Sequence, residues 1–208
     1  MSKIKIISID FSGVLTANEF IKFSNLDFDS ITISMFKFQL DSSNSKIKIY
    51  TGENSKLGLD GGSPQYSEYL ARQYHDEIFS SLNVADIVIC ISDFSEDEGE
   101  GIVPVVAEIA KEVGAVSFFF AIIPNQKHIV KFRQKRIEEF LRKLIEKADY
   151  VIQIYFWYTF LKFVNKKIRF DIFMEMCERL LAIDLDYFLK NFGEDFLKST
   201  ANKKSVGN

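Results

Sequence analysis

Residues 85–112 read ADIVICISDFSEDEGEGIVPVVAEIAKE, and the fold is decided by how this stretch divides. Positions 86–91 read as a strand, with an uninterrupted apolar run over 87–91, the pattern of a strand buried on both faces. Positions 103–113 carry helical periodicity, with Pro104 at the place where a helix tolerates proline best, its first turn. Between them lies a short turn containing Gly99 and Gly101. A strand, a glycine turn and a helix in that order is how α/β proteins build a phosphate site. Yet this turn also carries Glu96, Asp97, Glu98 and Glu100, four carboxylates where an anion would sit.

The flanking sequence repeats the alternation of strand and helix. Upstream, 3–9 is β-branched and reads as a strand, 10–15 as a turn around Gly13, and 16–23 as a short helix. Strands are expected at 31–38 and 46–50, then a loop over 51–64 closing on Gly61-Gly62-Ser63-Pro64, then helix over 65–82. Downstream, 115–122 and 150–154 read as strands and 131–146 as an amphipathic helix. Two further helices are expected at 168–181 and 187–197. This order implies an α/β fold, a Rossmann-like, doubly wound and mostly parallel sheet. Ligands in such folds bind beyond the carboxyl ends of the strands.

Bulk properties narrow the function. With 208 residues the chain can bury one sizeable core, and a single domain over 1–198 with a polar, disordered tail at 199–208 is expected. The net charge of −3 gives no reason to expect a nucleic-acid partner. Lys131, Arg133, Lys135, Arg136, Arg142 and Lys143 are interleaved with Glu138, Glu139 and Glu146, the pattern of a salt-bridged solvent face. Cys90 and Cys177 lack metal or redox spacing and read as buried thiols. The apolar run 150–160 is far short of the ~20 residues a spanning helix needs, so no membrane partner and a cytoplasmic location are expected. Ser12 and Ser63 have no adjacent base, and His75 and His128 read as surface residues. No catalytic residue and no metal ligand are assigned.

The helix after the acidic turn resembles one in the FtsZ/tubulin superfamily of GTP-binding filament proteins. There a loop of the form GGGTGTG or GGGTGSG precedes a helix reading roughly AAPVIAEIAKE-LGA. Gly99, Gly101, Pro104, Val105, Ala107, Glu108, Ile109, Ala110, Lys111, Glu112, Gly114 and Ala115 fit in register. Ser95, Glu96 and Asp97 stand for the first three glycines, and Glu98 and Glu100 for the hydroxyl residues. Of the family's first glycine loop only Gly13 and Ala17 are kept, whereas Gly61-Gly62-Ser63-Pro64 fits its GGNP. Residues 182–186, AIDLD, resemble the family segment that completes the GTPase site of the next subunit. Asp186 matches its first acid, and Leu189 stands where the second would fall.

The resemblance implies a truncated, divergent GTPase-type domain lacking the family's second domain. Its nucleotide contacts would fall at Gly13, Gly61, Gly62, Ser63, Pro64, Gly99 and Gly101. A phosphate with two charges some 4–6 Å from several carboxylates is repelled by about a few kcal/mol at an effective dielectric of 20. The helix end returns only about 0.5–2 kcal/mol. Repulsion wins, and the carboxylates are expected to form a solvated acidic cap. The implied function is a non-hydrolysing interaction or assembly-modulating protein with a degenerate guanine-nucleotide site. Its expected partner is a second copy or another FtsZ/tubulin-like protein. The alternative is a protein that still binds GTP or GDP with Mg2+, through a cation bridged by residues 96–100.

Overall fold

The computed structural model describes residues 3–52, 63–94, 96–124, 130–155 and 170–205, with the side chains of the last span described from 172 to 191. Six strands alternate with helices: β1 (Ile4–Ile9), α1 (Asp10–Phe23), β2 (Phe28–Ser34), α2 (Lys37–Ser42), β3 (Ile47–Tyr50), α3 (Pro64–Gln73), α4 (His75–Leu82), β4 (Ile87–Asp93), α5 (Asp97–Glu112), β5 (Val116–Ile122), α6 (Lys131–Lys147), β6 (Tyr150–Ile154) and α7 (Phe170–Ser205). The sheet runs β3-β2-β1-β4-β5-β6, with every pairing parallel. The doubly wound α/β fold read from the sequence is therefore the one observed.

Side chains of a strand alternate between faces, and here both faces are covered. Ile7, Ile9, Val88, Cys90 and Phe119 pack with Ile78, Leu82, Ile102, Val106, Phe140 and Leu144 from α4, α5 and α6. Ile6, Ile87, Ile89, Ile91, Phe118 and Phe120 pack on the other face with Phe20 of α1 and Phe173, Cys177, Leu181, Leu185 and Leu189 of α7. All seven residues of β4 are buried, which accounts for its unbroken apolar run.

Several boundaries differ from the sequence reading; the strand expected at 31–38 ends at Ser34, and α2 begins at Lys37. Helix α1 begins at Asp10, so the expected turn at 10–15 is its first turn and a half. Helix α5 begins at Asp97, which places Pro104 inside it and winds both Gly99 and Gly101 into helix. Pro104 has no N–H for the carbonyl four residues before it, a cost that packing of the surrounding apolar residues overrides. Finally, α7 is one continuous helix through 182–186, where a break was expected, and it extends into 199–205, assigned from sequence to a tail.

Phe173 is buried against the sheet and Phe188 packs edge-on against Phe118 and Phe120. Ile172, Met176, Leu180, Ile183 and Tyr187 stay exposed along the opposite side of α7. Residues 156–163 lie outside the described residues.

Candidate functional site

The strand order reverses direction between β1 and β4, and ligands of doubly wound sheets bind at that point. Here β1 runs directly into α1 at Asp10, and β4, ending at Asp93, is followed by α5 from Asp97. Asp10 joins the two. Its φ of 64° is a left-handed conformation uncommon for a residue other than glycine. The side chain makes that conformation useful: Oδ1 accepts the Gly13 N–H at 3.0 Å, capping α1. Its Oδ2 accepts Ser92 Oγ at 2.6 Å and the Asp93 N–H at 2.7 Å. Asp10 is fully buried, and burial, followed by Asp93 and Glu96, holds its carboxyl well above the usual carboxylate range. Asp10, which falls in the turn expected over 10–15, is instead a buried residue at the start of α1.

The expected solvated acidic cap is likewise corrected, because Glu98 and Glu100 are 2% and 3% exposed. Glu98 reaches across to β2, where Oε1 accepts Ser34 Oγ at 2.8 Å and the Met35 N–H at 2.6 Å. Its Oε2 is buried without a hydrogen bond of good geometry, although Gln39 lies close enough to favour the charged form. Burial outweighs these contacts and pushes the Glu98 carboxyl up to about 7. Glu100 faces α6. Arg136 Nε makes an ion-pair contact with Oε2 at 2.8 Å, and Nη2 donates to Oε1 at 3.2 Å. Asp97 also pairs with Arg136, and with Arg133 at 3.8 Å. Burial still raises the Glu100 carboxyl, with Arg136 opposing.

The glycines expected to contact nucleotide have other neighbours in this fold. A Cβ on Gly13 would stand 2.5 Å from the carbonyl oxygen of Ile91, so its hydrogen lets α1 lie on β4. One on Gly99 would meet Ser92 Oγ at 2.3 Å, the Asp93 carbonyl at 3.0 Å and Asp10 Oδ2 at 3.1 Å. At Gly101 it would meet the Pro64 carbonyl at 2.3 Å. The structure thus brings Gly13 and Gly99 to either side of Asp10, and Gly101 against Pro64. Ser63 caps α3, its Oγ accepting the Tyr66 N–H at 3.3 Å, and Pro64 follows as the first helical residue. Gly61 and Gly62 lie outside the described residues.

Other contacts of this edge, and Glu178, escaped the sequence reading. Glu178 of α7 is 6% exposed and lifted to about 7 by burial, with Glu175, Glu19 and Asp93 adding repulsion. Ser12 Oγ donates to Asp93 Oδ2 at 3.2 Å. An open cavity of about 650 Å³ is lined by Phe11, Phe36, Phe38, Gln39 and Glu96. Ser12 and Glu96 were visible in the sequence, but the neighbours they meet have no signal in one dimension, since those depend on which strand ends meet. Among the described residues no group of three or more His, Cys, Asp or Glu is placed to hold a metal ion. Cys90 and Cys177 are buried free thiols, as expected.

Comparison with known proteins agrees with this architecture. Residues 6–156 match the model of the Tubulin/FtsZ family, GTPase domain. Cell division protein FtsZ 2 of Halobacterium salinarum is 30% identical over 151 residues, covering 72% of this chain and 38% of that protein. The FtsZ of M. jannaschii, solved as an empty dimer, superposes with a TM-score of 0.78 at 23% identity, covering 89% of this chain and 54% of that one. CetZ2 from Haloferax volcanii, solved as a GTPgS-bound protofilament, gives 0.75 at 16% identity, covering 91% and 58%. The last two likenesses concern the fold alone, and the chain spans little more than half of either structure. The family match extends over most of the described sheet and includes the β1–β4 edge, and the chain belongs to the Tubulin/FtsZ family.

Proposed function

We propose that this protein keeps the GTPase-domain fold of its family without a working phosphate cradle, and acts by binding a partner in assembly rather than by hydrolysing GTP. The observation that carries the reading is the first turn of α5. A phosphate cradle needs backbone amides open to the ligand and room beside the glycine Cα. The space beside Gly99 is taken by Ser92 Oγ, Asp10 Oδ2 and the Asp93 carbonyl, all oxygen atoms. Carboxylates of Asp10, Asp93 and Glu96 act on one another at the same place. An anion arriving there meets oxygen and negative charge.

Hydrolysis is disfavoured for a separate reason. Asp186, matched to the first of the family's two acids, turns inward: its carboxylate accepts Ser24 Oγ at 2.7 Å and pairs with Lys190 at 2.6 Å. Leu189 fills the second position and is buried against the sheet. The partner side of the reading draws on α7. Its exposed apolar residues recur at helical spacing, and a contiguous stripe of that kind marks an interaction surface. A second copy, or another FtsZ/tubulin-like protein, is the partner proposed.

Isothermal titration of the full chain with GTP and GDP, with and without magnesium, tests the first half. No saturable heat up to millimolar nucleotide is expected, and stoichiometric binding of GTP would overturn the reading. Sedimentation of the chain beside a Leu180→Glu variant tests the second half: self-association present in the parent and lost in the variant is the expected result.

A further inference from the structure

The cavity at the ligand edge has a chemistry of its own. Phe11 and Phe38, both in the cavity wall, leave 42% and 51% of their surface in solvent. Phe36 and Phe38 stand 5.7 Å apart between ring centroids, with their planes 36° from parallel. Glu96 supplies a carboxylate in the same wall, with Gln39 beside it. The volume of about 650 Å³ falls within the ordinary range of small-ligand sites. Phenyl faces carry negative quadrupole density and attract cations, and a carboxylate adds a full charge.

The surroundings of Glu96 point the same way. Asp93 stands close enough to repel it. Glu98, whose buried Oε2 makes no hydrogen bond of good geometry, is acted on by Glu96 and by Gln39, both of which line the cavity. Asp10 also feels Glu96. The cation acting on Glu96 is Arg133, and that guanidinium is shared with Asp97 at 3.8 Å. Arg136 is engaged by Asp97 and Glu100. Glu96, the carboxylate of the cavity wall, thus acts on or is acted on by Asp10, Asp93 and Glu98, while the nearby guanidinium groups already serve neighbouring acids.

We infer that the cavity lined by Phe11, Phe36, Phe38, Gln39 and Glu96 binds an organic cation, a guanidinium, amidinium or primary ammonium group on an apolar stem. The charged head sits against Glu96 and the stem lies between the phenyl rings of Phe11 and Phe38. The inference rests on the reading that this edge no longer receives phosphate. Its ligand chemistry has two sources, a free small cation or an arginine or lysine side chain presented by a partner protein.

The test is a titration of the full chain at pH 8 with benzamidine, beside benzoate and benzyl alcohol as anionic and neutral counterparts of similar shape. Saturable binding of benzamidine, at least tenfold tighter than either counterpart, is expected. Glu96→Gln should weaken it by about tenfold or more and Phe38→Ala by about threefold, from loss of the charge and of one ring face. Phe132→Ala, a change on the exposed surface of α6, should leave it unaltered. Agmatine against a capped Gly-Arg-Gly peptide separates the sources: tighter agmatine binding identifies a free cation, tighter peptide binding a partner's side chain. Equal affinity for the three aryl probes, no binding of any, or full affinity in Glu96→Gln would overturn the inference. A parallel GTP titration of the same sample keeps the two readings apart, since absent nucleotide binding with absent benzamidine binding sinks only this one.

Discussion

Helix α5 carries glutamates at both ends, and Glu98 and Glu100 at its start are treated oppositely to Glu108 further along. At the start, Glu98 and Glu100 are buried and their carboxyls are raised, burial being the largest cause in each. At the far end, Glu108 is partly exposed and its carboxyl is lowered, chiefly by the hydrogen bond from Arg72 and then by Lys147. Arg72 Nη1 donates to Glu108 Oε2 at 2.8 Å and Lys147 Nζ to Oε1 at 2.6 Å. One residue type on one helix therefore changes the sign of its response within ten positions. Desolvation decides the buried end, and partners in water decide the other.

The largest way to break this contrast is to remove the counter-charge at the buried end. Arg136→Ala leaves Glu100 buried beside only the shared Arg133, and loss of one member of a buried pair costs about 3 kcal/mol or more. Chemical denaturation at pH 7 should show that loss, and at pH 5, with Glu100 more readily protonated, a smaller one.

Glu98 tests the sign directly. Its carboxyl titrates at about 7 in the fold against an ordinary 4.5, so folding favours the protonated form. Its contribution is complete below pH 4.5 and is lost as pH rises through 7, a change of about 3 kcal/mol at 1.36 kcal/mol per pH unit. Stability measured from pH 4.5 to 8 should fall in the parent. Glu98→Gln should flatten most of that slope and match or exceed the parent at pH 8. A parent curve that rises over this range would contradict the desolvated account of the helix start.

Gly99→Ala asks how tightly the start of α5 is seated. Alanine gains about 1 kcal/mol of helix propensity, whereas overpacking costs about 1–3 kcal/mol, and the neighbouring Asp93 carbonyl is backbone that cannot rotate away. A net loss of about 1–2 kcal/mol is expected from thermal or denaturant unfolding. The smallest effect belongs to the exposed end. Arg72→Ala should cost under about 1 kcal/mol, and less in 0.5 M salt, since exposed pairs are screened.

Much of the fold was legible because strands buried on both faces leave an unmistakable apolar run. Ile87–Ile91 and the three phenylalanines of β5 placed the central strands, and the match from Gly99 to Ala115 placed the family. The beginnings of α1 and α5 were not legible. Proline commonly opens a helix, so Pro104 drew the predicted start of α5 six residues too late. At α1, nothing local announces that Asp10 can hold a left-handed backbone while capping its own helix. The candidate site was readable only as a position, the carboxyl edge between two strands. Its contents, Phe11 with Phe36 and Glu98 with Ser34, come from segments far apart in the chain.

By itself the sequence determined the alternation of strand and helix, the burial of β4 and the family, because each is written in side-chain period and local motif. The tertiary structure alone decided that the acidic turn is a buried helix start. Whether a carboxylate stays in water or leaves it depends on which neighbours close over it, and here those are Ser34 and Met35 from β2 and its exit, and Arg136 from α6.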